Sequence, residues 1–369
     1  MTAWWHDGAV ETAPDTPVTV PLRAAVAALP AYVPGARPSG TAHKLSSNEN
    51  PYPPLPSVLA AIQSAASEVN RYPDMYATEL VEAIAAHVGL AADQVVVGNG
   101  SVAVLHHVLE AVVEPGDEVV FPWRSFEAYP IITAVAGGSA VTVPVTADGR
   151  LDLPAMAAAV TERTRVVLVC TPNNPTGPVV PADDLETFLA SVRRDVLVVV
   201  DEAYLEFVRA PEAPDALDVL RRHPNVVVLR TLSKAYGLAG LRVGYALAAP
   251  RLAAGIRATS TPFGVNHLAQ RAGIAALQAP ALAEMTAHVE ALVAERTRVR
   301  DALREQGWEV PDTQANFVWL ALGERTAGLA AEAAAAGVLV RPFAGDGMRV
   351  SIGEVAANDA FLALAATWR

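Results

Sequence analysis

One lysine carries the first chemical signal in this chain. Lys234 sits in Thr-Leu-Ser-Lys-Ala-Tyr-Gly-Leu-Ala-Gly-Leu-Arg, residues 231–242, directly after the apolar run 226–229, which reads as a buried strand. Burial disfavours an ammonium ion and lowers the amine's pKa, making it a nucleophile toward an aldehyde or ketone. Thr231, Ser233 and Arg242 add phosphate donors around it. A Schiff-base lysine beside a phosphate cradle suggests pyridoxal 5'-phosphate. The plainer alternative is a strand-end lysine that reaches solvent beside a helix.

A second signal lies 33 residues earlier, at Asp201 in Leu-Val-Val-Val-Asp-Glu-Ala-Tyr. A carboxylate ending an apolar strand needs a partner, because an unpaired buried charge is costly. A protonated pyridine nitrogen would serve and would keep the ring electron-accepting. Tyr204 could bond a ring hydroxyl. Helix capping is the alternative for Asp201. The separation is one strand-helix-strand unit, so the two residues would meet at neighbouring strand ends, and the pair is far more specific than either member.

Further candidates also follow predicted strands. Val95 to Ser101 runs through a glycine turn into a helix whose first N–H groups, with the Ser101 hydroxyl, form an anion site. Gly98 to Ala103 also fits a dinucleotide fingerprint, but Asp117 and Glu118 precede the next strand instead of ending it, which counts against that reading. Residues 170–177 fix two asparagines between prolines, leaving amides such as that of Asn174 free to bond a ligand. Residues 123–129 offer aromatic faces for a planar ring. In the Pro-rich loop 46–54, Asn48 or Asn50 faces a ligand or simply forms the turn. Arg341 and Arg349 suit an α-carboxylate, with surface ion pairing as the alternative.

The elements that position these residues follow from periodicity. Apolar runs at 95–97, 119–121, 140–145, 166–169, 196–200 and 226–229 alternate with helix-length segments, as in a mainly parallel sheet covered on both faces. Ligands in such sheets gather at the strands' carboxyl ends. Val58, Ile62, Ala65 and Val69 share one predicted helical face, and Leu80, Val81, Ile84 and Val88 another, closed by Gly89. Long Ala-rich helices, clearest at 287–304, lead into strands at 317–320, 338–341 and 349–352. We expect an arm and part of the small domain in residues 1–45, a large domain in 46–250 and a small α/β domain in 251–369.

Composition excludes several classes. A net charge of -12 opposes nucleic-acid binding. The uncharged stretch 128–147 is broken by two prolines and a Gly-Gly pair, and reads as strands and not as a membrane span. Residues 1–8 lack the pattern of a signal peptide. The single cysteine, Cys170, lies in an apolar run; it is expected to be structural and points to a reducing cytoplasm. No metal site is expected.

Taken together, Gly98-Asn99-Gly100-Ser101, Asn173-Asn174-Pro175-Thr176-Gly177, Asp201-Glu202-Ala203-Tyr204, Ser233-Lys234, residues 240–244 and residues 349–353 resemble the fold-type I, class II pyridoxal-phosphate aminotransferases. The resemblance is closest to the histidinol-phosphate branch, and within it the loop 121–129 looks like the actinobacterial aromatic amino acid (phenylalanine) aminotransferases. It covers residues 45–369 and implies a seven-stranded, mainly parallel sheet between helices. It also implies a homodimer acting on small amino and 2-oxo acids, with 2-oxoglutarate as acceptor. Lys234 would carry the cofactor and shuttle the proton. Asp201 would pair with the ring nitrogen, Asn174 and Tyr204 with the ring hydroxyl, and Phe126 would stack on the ring. Gly100, Ser101, Thr231, Ser233 and Arg242 would hold the phosphate, with Tyr72 reaching it from a second subunit. Arg349 would hold the substrate carboxylate, with Asn48 and Asn50 facing substrate. Arg341 matches a position that helps hold the phosphate of histidinol phosphate, which keeps that substrate in view. Phe126 departs from the tyrosine common in that branch. Two remoter readings are a decarboxylase of phosphorylated amino acids on the same fold and a non-catalytic cofactor-binding module.

Overall fold

The computed structural model describes residues 20–29 and 42–369. Residues 1–8, and most of the expected N-terminal arm, lie outside these. Within the described part of the arm the only helix is the single turn Ala24–Ala27, exposed throughout.

Twelve strands follow in chain order: β1 (His43–Lys44), β2 (Val95–Asn99), β3 (Glu118–Trp123), β4 (Ser139–Pro144), β5 (Thr164–Cys170), β6 (Leu197–Asp201), β7 (Val226–Thr231), β8 (Val243–Ala248), β9 (Phe317–Ala321), β10 (Val338–Leu339), β11 (Arg341–Phe343) and β12 (Gly347–Ser351). Seven form one sheet in the order β2-β8-β7-β6-β5-β3-β4. Only β8 runs against the others, pairing antiparallel with both β2 and β7. The central strands are buried on both faces, which is why they read as unbroken valine and leucine runs. The carboxyl ends of β5, β6 and β7 lie side by side, with Cys170 facing Asp201 and Asp201 facing Leu229 in register.

A second sheet, β11-β12-β9, is antiparallel, and a third pairs β1 with β10. The strand expected at 338–341 is therefore two strands in different sheets. The stretch 128–147, read as strands, opens instead with the helix Ala128–Ala136. Tyr129, Ile132 and Thr133 share a buried face; Gly137, at φ 95°, ends the helix and only then does β4 begin. Val69 is 61% exposed, because the helix carrying Val58 ends at Ala65 and a single 3-10 turn follows. The helix Thr78–Val88 ends on Gly89 in the left-handed region, as its spacing predicts. The long helix Ala279–Glu305 packs on the helix Val355–Ala365. Among the described residues no helix is long and apolar enough to cross a membrane.

Candidate active site

A cavity of about 500 Å³ opens where the carboxyl ends of β5, β6 and β7 meet the β11–β12 hairpin and the loop after β1. Among the residues predicted from sequence, Lys234, Asp201, Tyr204, Asn174 and Phe126 line it. Ser101, Thr231, Ser233 and Arg242 line it too, as do Asn48, Arg341 and Arg349. The remaining three stand apart. Gly100 sits one residue behind Ser101. Asn50 turns away, its Nδ2 donating to the Ala235 carbonyl at 3.0 Å. Tyr72 is 84% exposed and packs its ring on Phe263, with centroids 4.8 Å apart.

Asp201 ends β6 inside the protein, and burial raises its carboxyl pKa to about 6 despite a hydrogen bond from Tyr129. The Tyr129 hydroxyl donates to Oδ2 at 2.7 Å, while Oδ1 is buried with no protein partner. A protonated ring nitrogen is the kind of donor this oxygen lacks. Lys234 donates to the Ser47 carbonyl at 3.3 Å. Burial, and secondarily the charge of Arg349, lower its pKa to about 7. The amine is thus close to half neutral at neutral pH. Cys170 lines the cavity, but burial and then the nearby Asp201 push its thiol up to about 12, which leaves it inert.

The corner around Ser101 is built by close backbone approach. Gly100, at φ 84°, precedes the helix Ser101–Val112 and frees that helix's first N–H groups. β8 passes so near that a Cβ on Gly244 would come within 2.1 Å of the Ser101 nitrogen. Arg242 approaches from the other side and donates to the Ala239 carbonyl at 2.9 Å, its guanidinium 3.5 Å from the Ser233 hydroxyl. Thr231 accepts from the Ser233 N–H at 3.1 Å, which ties the turn before Lys234. Donors from three chain segments therefore converge on one corner.

The opposite wall is one hydrogen-bonded network. Arg349 donates to Asn174 Oδ1 at 2.6 Å and to the Ser46 carbonyl at 2.8 Å. Asn48 takes φ 52°, accepts from the Ser351 hydroxyl at 2.8 Å and donates to the Tyr204 oxygen at 2.9 Å. Burial raises the Tyr204 pKa, so it is a neutral phenol that keeps its own proton to donate. Arg341 forms an ion pair with Glu127 at 2.6 Å.

Tyr129 and Glu127 were missed as individual contributors, although both fall in the aromatic loop. The unmet need of Asp201 for a partner was the signal for Tyr129, and the arginines' need for one was the signal for Glu127. Spacing alone identifies neither, since Tyr129 and Asp201 are 72 residues apart.

Comparison with known proteins adds independent information. Residues 41–362 match the family described as aminotransferase class I and II. An aromatic amino acid aminotransferase of Streptomyces avermitilis is 55% identical over 351 residues, covering 94% of this chain and 97% of that protein. One from Rhodococcus opacus is 55% identical over 335 residues, covering 91% and 92%. Among solved structures, the histidinol-phosphate aminotransferase of Sinorhizobium meliloti in complex with pyridoxal-5'-phosphate superposes with a TM-score of 0.85 at 28% identity, over 94% of this chain and 98% of that one. The N-succinyldiaminopimelate aminotransferase of Mycobacterium tuberculosis gives 0.79 at 26%, over 88% and 93%.

Proposed function

The chain belongs to the aminotransferase class I and II family, and we propose that within it the protein moves the amino group of an aromatic L-amino acid (phenylalanine, tyrosine or tryptophan) to 2-oxoglutarate. It is an enzyme of small amino and oxo acids with the fold-type I architecture, and its cofactor is pyridoxal 5'-phosphate. When bound, that cofactor supplies an electron-accepting ring for the electron pair left as a substrate C–H bond breaks. The observation that carries this reading is one cavity holding a half-neutral lysine and a buried aspartate with an unfilled acceptor oxygen.

Each side chain then has a definite task. The Lys234 amine would hold the cofactor through its aldehyde carbon, with loss of water, and, once displaced by substrate, would take the proton from the substrate α-carbon and return it to the cofactor's aldehyde carbon, two bonds away. Asp201 would keep a proton on the ring nitrogen, with Tyr129 fixing the carboxylate's orientation. Asn174 and Tyr204 would meet the ring hydroxyl, and Phe126 its face. Ser101, Thr231, Ser233, Arg242 and the amides after Gly100 would hold the phosphate. Arg349, braced by Asn174 and Ser46, would grip the substrate carboxylate with Asn48 beside it.

Aromatic specificity is supported by curated relatives that are 50 to 55% identical over more than nine-tenths of the chain. The second reading, histidinol-phosphate aminotransferase, draws on the structural neighbour at 28% identity and on Arg341 in the cavity wall. Phenylalanine is expected to exceed histidinol phosphate in kcat/KM. If Arg341→Ala produced a large loss confined to histidinol phosphate, in an enzyme favouring that substrate, the second reading would win. Carbon dioxide release without 2-oxoglutarate consumption would indicate a decarboxylase instead.

We also propose a homodimer. Tyr72, Met75, Tyr76 and Phe263 are exposed, at 84, 42, 64 and 40%. Such a patch suits a subunit contact, from which Tyr72 would reach the partner's phosphate site. Sedimentation at the dimer mass is expected; a monomer that retains full turnover would refute the shared site.

A further inference from the structure

Glu127 stands at the start of the helix Ala128–Ala136, yet its carboxylate caps nothing there. Its Oε2 instead accepts from Arg341 Nη2 at 2.6 Å, and both residues line the cavity that holds Lys234 and Arg349. Arg341 lies directly opposite Arg349 across the β11–β12 pair. Two guanidinium groups thus enter one wall from facing positions, where like charges repel. Glu127 answers one of them. A second ion pair, Arg124 with Asp346, joins the same loop to the same hairpin outside the cavity, so that attachment does not depend on Glu127 alone.

We propose that Glu127 sets the charge of the substrate side chain that this site admits: by neutralising Arg341 it leaves a pocket for an uncharged aromatic group and turns away a phosphomonoester. The inference rests on the cavity being the substrate site proposed above. A phosphomonoester carries about -1.5 to -2 charges at neutral pH and binds best to an open guanidinium fork. Glu127 already takes one arm of that fork, Nη2, and its own charge repels the phosphate. The side-chain carboxylate of 2-oxoglutarate or glutamate brings one charge, so it meets less repulsion and is still admitted. An aromatic ring brings none and packs against guanidinium faces, as Phe343 already does within 5.6 Å of Arg341 and 5.8 Å of Arg349.

The test is Glu127→Gln in the holoenzyme, which keeps the side chain's size and removes its charge. The donor half-reaction is followed separately with phenylalanine, glutamate and histidinol phosphate through the absorbance of the bound cofactor. The kcat/KM ratio of histidinol phosphate to phenylalanine is expected to rise by about tenfold or more, and that of glutamate to phenylalanine by less. Adding Arg341→Ala is expected to cancel the rise. Unchanged ratios in an enzyme that prefers phenylalanine would overturn the role of Glu127 alone, as would a rise that survives in the double variant. A wild-type preference for histidinol phosphate would sink both the aromatic reading and the role of Glu127.

Discussion

Lys234→Ala is expected to abolish transamination, lowering turnover by about 10⁴-fold or more, since one side chain supplies both the covalent attachment and the proton shuttle. The fold should survive, because the Lys234 amine gives up a long 3.3 Å bond to the Ser47 carbonyl and a distant approach, 5.9 Å, to the Tyr204 ring. The chain has just two lysines, Lys44 and Lys234. Lys44 is tied to Glu49 at 2.7 Å on a separate wall. Borohydride treatment of the loaded wild-type protein followed by peptide mapping therefore has two possible answers, and labelling at Lys44 would end the assignment. A pH dependence follows from the same amine. With its pKa lowered to about 7, it is protonated and inert at lower pH. The apo-protein should take up pyridoxal 5'-phosphate faster between about pH 6 and about pH 8 and then level off, as the nucleophilic fraction saturates.

Asp201→Asn is expected to move activity and stability in opposite directions. Losing the charge that keeps the ring protonated should cut kcat by about 10³-fold. In the apo-protein, however, that charge is a burden. Its pKa is 3.8 when unfolded and about 6 when folded, so the native state holds a proton that the unfolded chain releases between these values. A raised acid pKa gives stability below about pH 4 that is lost as pH climbs through about 6. Above that the wild-type apo-protein bears the full penalty, and asparagine, which can still accept from Tyr129, does not. Denaturant unfolding of the apo-proteins should show the variant more stable at pH 8 by up to roughly 3 kcal/mol, with no such gain at pH 4. Equal stability changes at the two pH values would contradict this account.

Much of the cavity was legible because strand ends in an α/β sheet are where polar residues have reason to follow apolar runs. Asp201 and Lys234 stood out as charges in surroundings that exclude charge. β8 was not read as a strand: its residues, Val-Gly-Tyr-Ala-Leu-Ala, hold a glycine that lets it approach Ser101 and weaken its apolar signal. Periodicity also carries no direction, so the antiparallel course of β8 was invisible. The run 338–341 read as one strand because its break is a change of partner, from β1 to β12, which only tertiary contact reveals. Asn48 left two uses open, turn and ligand; the structure gives it a left-handed turn and also a bond to Tyr204.

The loop from Ser46 to Asn50 is stitched to the far end of the chain. His43 donates to the Gly337 carbonyl at 2.8 Å, Leu45 to Leu339 at 2.7 Å, and Ser351 to Leu45 at 2.9 Å. On the ribosome, the seven-stranded sheet is fully translated once residue 248 has emerged, whereas the wall bearing Asn48 must wait for a segment synthesised about ninety residues later. Until that segment arrives the loop bearing Asn48 lacks the strands that hold it, so the wall carrying Asn48, Arg341 and Arg349 is the last part of the cavity to be assembled.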